Sequence, residues 1–332
     1  MKKIVAIIIV TLLVLFVLYK LQLRPVDALS DTRVRVTVAQ GTSKAGIAAL
    51  LDEKGLIRSP LAFKMYAAFH RSNLQAGNFF PKASMTVAEI VEVLSGGKAE
   101  EISITIPEGY TVKDLDALIV KHDLADAGAI SECARTCDFS SFAFLPKADD
   151  LAKRGGQVEG YLYPDTYFIV VNDFKPETFL KRLLQTFESR VVTGLAADIT
   201  ASDRSLAEIV TMASLIEEET RKAGERPVVS GILWRRFDEK MGLGVDAAVR
   251  YIINKPTDTI TSADLEVDSP YNLRKFRGLP PGPIANPSLS SIKAALSPEA
   301  SPYWYYLHGT DGNIRYAATN DEHNQNRARY LQ

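Results

Sequence analysis

The feature that most constrains this chain lies in its first twenty residues. After Met1, Lys2 and Lys3 the sequence runs from Ile4 to Tyr19 with Thr11 as its only non-aromatic polar residue. Such a run makes a helix of about 24 Å, slightly short of a hydrocarbon core of roughly 30 Å. Leu21 and Leu23 extend it, and Lys20 and Arg24 can snorkel to the lipid boundary. A cleaved signal peptide shares the basic start and the apolar run. Its small-residue cleavage site is missing, because Tyr19-Lys20-Leu21-Gln22-Leu23-Arg24 follows. The expectation is an uncleaved anchor over residues 1–24. Lys2 and Lys3 nearly balance Lys20 and Arg24, so orientation rests on the default for a short basic start, with the amino terminus in the cytoplasm and the rest outside.

The remainder is long enough for about two folded units of a 332-residue chain. With 39 basic against 40 acidic side chains, no general field attracts nucleic acid, and no nucleic-acid partner is expected. The two cysteines, Cys133 and Cys137, lie four apart with Arg135 between them. They read as small buried or locally bridged residues, since a loop that short constrains little. There is no CxxC pair, and the four histidines are not in HExxH spacing, so neither metal nor cofactor is expected.

Local patterns predict an α+β chain. Val34, Val36 and Val38 alternate as a half-buried strand, and Ile47, Leu50 and Leu51 follow at helical spacing up to Gly55. Ser59-Pro60 opens a second helix through Phe69. Thr86 and Glu89 form a capping box before Ile90, Val91 and Leu94, stopped by Gly96-Gly97. A second alternating strand, Ile102-Ile104-Ile106, leads through Pro107-Glu108-Gly109 to Thr111 and Asp114, another helix start. One small module of strand and short helices therefore ends near residue 98, and a larger α+β region follows.

Within that region Ser205 and Glu208 cap a helix, with Arg221, Lys222 and Gly224 as its C-terminal signal. At 100° per residue, Leu206, Ile209, Met212, Ala213, Ile216 and Ala223 share one face, with Thr220 in its middle. Glu218 points away from that face and should be solvated. Glu217 and Glu219 sit about 80° to either side of its centre. A border carboxyl facing apolar walls has its neutral form favoured, as a general acid near neutral pH requires. Because i and i+2 project in nearly opposite directions, geometry proposes one acid and does not choose between them. Alternatively, Arg221, Lys222 and Arg226 simply pair with a Glu-rich helix end.

Several segments together carry a resemblance. Met212-Ala213-Ser214-Leu215-Ile216-Glu217-Glu218-Glu219-Thr220 with Glu225-Arg226 is similar to the signature helix of endolytic murein transglycosylases, the YceG-like family. Glu159-Gly160-Tyr161-Leu162-Tyr163-Pro164-Asp165-Thr166-Tyr167 resembles its EGYLFPDTY segment. Ser269-Pro270-Tyr271-Asn272 and the run from Gly278 to Pro287, GLPPGPIANP, resemble its SPYNTY and GLPPGPI stretches. Ser301-Pro302-Tyr303-Trp304-Tyr305-Tyr306 and His323 also fit. Two positions depart: Ala247-Ala248 stands where the family has Pro-Thr, and Ile314 where it has a histidine, with Tyr316 two residues on.

The resemblance places the family's catalytic glutamate on Glu219. It implies cleavage of the β-1,4 bond between N-acetylmuramic acid and N-acetylglucosamine within glycan strands, leaving 1,6-anhydromuramyl ends. It further implies a single-pass inner-membrane anchor with the catalytic part in the periplasm, a LysM-like module over residues 34–98, a catalytic region over 99–332, and peptidoglycan synthases as partners. Asp246 is the best second carboxylate, to orient sugar or stabilise charge, or else a turn-capping residue after Gly242 and Gly244. Tyr271 and Asn272 could bind an N-acetyl group, hold Glu219 or be structural. Glu159, Glu217 and Asn286 join the supporting set, and Tyr163 could stack on a sugar or fill the core. The aromatics from Tyr303 to Leu307 read as core rather than a sugar platform. His308 and His323 are not needed as acid or base. A non-catalytic peptidoglycan-binding scaffold and a hydrolase pairing Glu219 with Asp246 are the rival readings.

Overall fold

The computed structural model describes residues 2–96, 101–147, 156–171, 174–255 and 260–331. Its chain forms two compact units, Met1–Ile104 with Phe168–Phe174, and Thr105–Tyr167 with Lys175–Gln332. Strands β3 (Glu101–Thr105) and β4 (Thr166–Val170) pair, and the division between units falls within both. The return of Phe168–Phe174 to the first unit has no local sequence signal. Gly97 and the expected module end at residue 98 lie outside the described residues.

The first unit begins with α1 (Lys2–Gln22), which among the described residues is the one helix long and apolar enough to cross a membrane. At 1.5 Å per residue it is about 32 Å long, longer than the apolar run alone because the polar flanks join it. Next, β1 (Val36–Val38) pairs antiparallel with β2 (Gly77–Phe79), Val36 opposite Phe79 and Val38 opposite Gly77. Between them lie α2 (Lys44–Glu53) and α3 (Pro60–Phe69), and α4 (Val87–Leu94) follows. Each helix starts where its cap dictates. Ser43 and Ser59 accept from the amides of Gly46 and Ala62, and Thr86 and Glu89 close a reciprocal box. Val36, Ile47, Leu51, Phe63, Ile90 and Leu94 meet in one core.

In the second unit α5 (Val112–Lys121) opens on the Thr111–Asp114 capping box, and α6 (Ala129–Thr136) carries Cys133, disulfide-bonded to Cys137 at its end. Helix α7 (Pro176–Phe187) runs into a π-helical turn and α8 (Ala196–Ala201). The central element is α9 (Leu206–Glu219), against which α10 (Arg226–Asp238), α11 (Asp246–Ile253) and α12 (Leu289–Leu296) pack. A hairpin of β5 (Tyr305–His308) and β6 (Ile314–Ala317), then α13 (Asn320–Tyr330), complete the unit. Close backbone approach joins two distant segments: a Cβ on Gly160, at φ +86°, would lie 2.3 Å from Pro283. Only glycine lets the Glu159–Tyr163 segment pass the proline-rich run there.

Two expectations for α9 are corrected. Every residue from Ile209 to Ile216 is buried, Thr211 and Ser214 included, so α9 is a core helix rather than a one-sided surface helix. Ser214 fits because its hydroxyl donates to the Thr211 carbonyl and accepts from the Ile284 amide. The helix also stops at Glu219 instead of running to Arg221 or beyond, with Thr220 in extended geometry (φ −115°, ψ 134°). The cause lies downstream: the Glu225 carboxylate takes the amides of Arg221 and Lys222 into a tight turn before α10 begins at Arg226-Pro227.

Candidate active site

The three glutamates ending α9 have three different environments. Glu217 is spoken for at both oxygens. Its Oε1 accepts from Arg226 Nη2 at 2.8 Å, and its Oε2 from the Ser288 amide at 2.8 Å and hydroxyl at 2.5 Å. Ser288 is the N-cap of α12, and the Glu217 side chain is 8% exposed. Glu217 therefore ties α9, α10 and α12 together, and of the three basic residues weighed against these glutamates, Arg226 is the one that pairs with it.

Glu218 is exposed, on the side the helical wheel assigns it. It opens onto a cavity of about 590 Å³ whose walls include Thr111, Asp114, Glu159, Ala247 and Tyr251. Its Oε1 lies 3.0 Å from where a Cβ on Gly109 would stand. Partial loss of hydration, then the charges of Glu217, Asp114 and Glu219, raise its carboxyl to about 7.

Glu219 is the last helical residue and keeps part of its surface in solvent. Tyr306 Oη donates to its Oε2 at 2.9 Å. Desolvation raises its carboxyl to about 7. The Tyr306 hydrogen bond opposes this, the Asp246 charge adds to it, and Arg236 and Arg274 oppose it. The carbonyl end of α9 also disfavours an anion at that position. Asp246, first residue of α11, is held by Arg274 through two bonds, Nε to Oδ1 at 2.6 Å and Nη2 to Oδ2 at 2.9 Å. Arg236 is pinned by the carbonyls of Trp304 and Leu243, each at 2.7 Å. Glu219, Asp246, Tyr306, Arg236 and Arg274 thus form one electrostatic cluster drawn from α9, α10, α11, β5 and the loop before the proline-rich run.

The other expected residues have partners of their own around this cluster. Asn272, fully buried, donates to the carbonyls of Leu265 (2.8 Å) and Val267 (2.9 Å) and accepts from the Arg274 amide, shaping the loop that presents Arg274. Tyr271 packs against Tyr251 with ring centroids 5.5 Å apart. The Tyr251 hydroxyl donates to Glu159 Oε2 at 3.1 Å, while Glu159 Oε1 accepts from the Val112 amide at the start of α5. Burial pushes Glu159 up to about 7, against both hydrogen bonds. Asn286 staples three segments, accepting from the Leu162 amide at 2.9 Å and donating to the Tyr110 carbonyl at 2.7 Å. Tyr163 is buried and borders a separate cavity of about 580 Å³ with Glu108 and Arg226.

Tyr306, Arg236 and Arg274 escaped the sequence reading. The aromatic strand was expected to be core, but its residues are only partly buried and Tyr306 reaches the helix end. Alternation along β5 was the available signal: Tyr306 and His308 share a face, and His308 Nε2 lies 3.0 Å from Glu225 Oε2. Ile314, at the departing position, is paired with His308 across the hairpin, so a histidine is present there on the other strand. Ala247 lines the 590 Å³ cavity and Ala248 is buried in α11. Among the described residues no group of three or more His, Cys, Asp or Glu could hold a metal ion.

Residues 36–329 match the model of the YceG-like family. An endolytic murein transglycosylase of Bacillus subtilis is 32% identical over 95% of this chain and 90% of its own length. One from Streptococcus pneumoniae is 28% identical over 93% of this chain, which spans 60% of that longer protein. The crystal structure of a YceG-like protein from Listeria monocytogenes superposes with a TM-score of 0.64 at 30% identity, covering 88% of this chain and 98% of that one.

Proposed function

The chain belongs to the YceG-like family, and from that premise we propose that it is a membrane-anchored endolytic lytic transglycosylase of peptidoglycan with Glu219 as its acid and base. The observation that carries this reading is the contrast at the end of α9. Glu217 has both oxygens occupied by Arg226 and Ser288, whereas among the described residues Glu219 accepts from Tyr306 alone. The Glu219 carboxyl, like that of Glu218, is raised to about 7. A carboxyl near 7 is populated in both protonation states at neutral pH, as a group that first gives and then takes a proton requires.

In the proposed cycle protonated Glu219 gives its proton to the glycosidic oxygen leaving C1 of N-acetylmuramic acid, and positive charge develops at C1. The carboxylate then takes the proton of the same sugar's C6 hydroxyl as that oxygen bonds to C1. The products are a 1,6-anhydromuramyl end and a free N-acetylglucosamine hydroxyl, with no water consumed. Intramolecular attack supplies the effective concentration that a separate nucleophile would otherwise provide. Proton transfer leaves Glu219 negative as C1 becomes positive, and Arg236 and Arg274 favour that charged state. A hydrolase would need a second carboxylate to activate water. Asp246 is a poor candidate, because Arg274 occupies both its oxygens.

The remaining assignments complete the reading. Residues 1–24 anchor the chain in the inner membrane, with the rest on the periplasmic side. Residues 34–98, with strand, two helices, strand and helix in order, serve as a LysM-like glycan-binding module. Residues 99–332 carry catalysis, and peptidoglycan synthases are candidate partners. The test uses the full chain in detergent on purified glycan strands, with the new ends read by mass spectrometry. Anhydro ends, lost in Glu219→Gln, are expected. Reducing ends would indicate a hydrolase, and loss of cleavage in Glu217→Gln but not Glu219→Gln would overturn the assignment of the acid.

A further inference from the structure

Helix α3 is apolar nearly all round, with Lys64 its one charged residue. One face, Ala62, Phe63 and Ala67, lies in the core of the first unit. The opposite face presents Leu61, Met65 and Phe69, 64%, 41% and 82% exposed, at i, i+4 and i+8. Isolated exposed apolar side chains are ordinary, but a stripe of three on a helix whose other face is already core calls for a cover.

The position of the stripe identifies that cover. Met65, Tyr66 and Phe69 share an apolar cavity of about 750 Å³ with Leu15, Phe16 and Tyr19 of α1. That geometry is held by several ties within the unit. The Val87 amide donates to the Leu23 carbonyl at 3.1 Å, Arg58 donates to the carbonyls of Pro25 and Val26 at 2.8 and 3.1 Å, and the Leu23 side chain packs on the core. If Lys20 marks the outer lipid boundary, Leu15 lies about 7 Å beneath it along the helix. This is within the depth of about 5–10 Å at which interfacial helices bury their apolar face. Lys20, Arg24 and His70 stand around the same cavity, and among the described residues lining it none is acidic. With Lys64 on α3 itself, this rim suits anionic headgroups.

We propose that α3 is a second membrane contact, lying in the headgroup–acyl boundary beside α1 with Leu61, Met65 and Phe69 in lipid. The proposal rests on the anchor reading above. It makes the first unit a body seated on the bilayer at two places rather than hung from a single span.

Cys133 and Cys137 are bonded to each other and no other cysteine is present, so one introduced cysteine can be labelled uniquely without reductant. The full chain in vesicles of phosphatidylcholine and phosphatidylglycerol would carry an environment-sensitive fluorophore at Phe69→Cys, at Leu13→Cys within the span, or at the exposed Glu239→Cys. The label at 69 should lose more than about half its emission to lipid carrying a shallow nitroxide. It should also be shielded from iodide relative to 239, and the effect should weaken when phosphatidylglycerol is omitted. Equal iodide access at 69 and 239, with the label at 13 quenched by deep nitroxide, would overturn the proposal and leave the anchor standing. Shielding at 69 without lipid quenching would also overturn it, by indicating a protein cover. A label at 13 untouched by deep nitroxide would overturn the anchor and this proposal together. Leu61→Cys serves as the second probe should Phe69→Cys fail to fold.

Discussion

The hydroxyl of Tyr306 donates a 2.9 Å hydrogen bond to Glu219 Oε2, joining a strand of the last hairpin to the final residue of the central helix. Those residues are 87 positions apart, and their contact opposes the rise that burial imposes on the proposed acid. A donor to a carboxylate stabilises its anion. Tyr306→Phe should therefore raise the Glu219 pKa beyond about 7. The alkaline limb of the pH–rate profile on glycan strands should move up by roughly half a unit to one unit. An unchanged limb would show that the bond does not act on the reacting group.

The Asp246–Arg274 pair should shift the same limb in either direction. Asp246→Asn removes a negative charge near Glu219 and leaves the Arg274 cation less compensated. Both effects lower the Glu219 pKa, so less acid form remains at pH 7 and the rate there falls. Arg274→Gln works oppositely and should move the limb upward. Shifts of the same sign in both variants would argue that Asp246 touches substrate directly.

Stability should depend on Glu219 with a definite sign. Its folded pKa, about 7, lies above its ordinary value of 4.5, so the folded chain binds more protons than the unfolded chain between those values. Stability from this group is therefore highest below about pH 4.5 and declines as pH rises through 7. Glu219→Gln removes that loss. The variant should be more stable than the parent at pH 8, by about 1–2 kcal/mol once partial solvent access is allowed for, and the gain should vanish near pH 4. Thermal melts at the two pH values decide it.

Glu217 should behave in the opposite way. Glu217→Ala leaves Arg226 with only Ser290 and a 4.0 Å approach to Glu108 among the described residues, and removes the acceptor for the Ser288 amide, costing about 2–4 kcal/mol. Below its lowered melting temperature the variant should retain cleavage within about tenfold of the parent. Cleavage lost while the melting temperature stayed unchanged would refute a structural role.

Much of this molecule is legible one segment at a time. The caps at Ser43, Ser59, Thr86, Thr111 and Ser205 all form as their residue types and spacing demand, because a cap is satisfied within four residues of chain. The wheel also separates Glu218 from its neighbours, since the direction of a side chain on a helix depends only on the helical repeat. The wheel stops short of choosing between Glu217 and Glu219, which are equivalent by angle.

Their difference is made by Arg226 and Ser288 on one side and Tyr306, Arg236 and Arg274 on the other, and these arrive from α10, α12, β5 and a loop far along the chain. The end of α9 is likewise decided from outside, by a Glu225 carboxylate that competes for the amides of the next turn. Sequence by itself determined the apolar helix, the capped starts of α3, α4, α5 and α9, and the likeness to a family, all matters of local spacing or residue identity. Tertiary structure alone decided that Glu217 is held fast by Arg226 and Ser288 and that Glu219 meets Tyr306 and is raised by burial, because desolvation and charge act through space and take no account of separation along the chain.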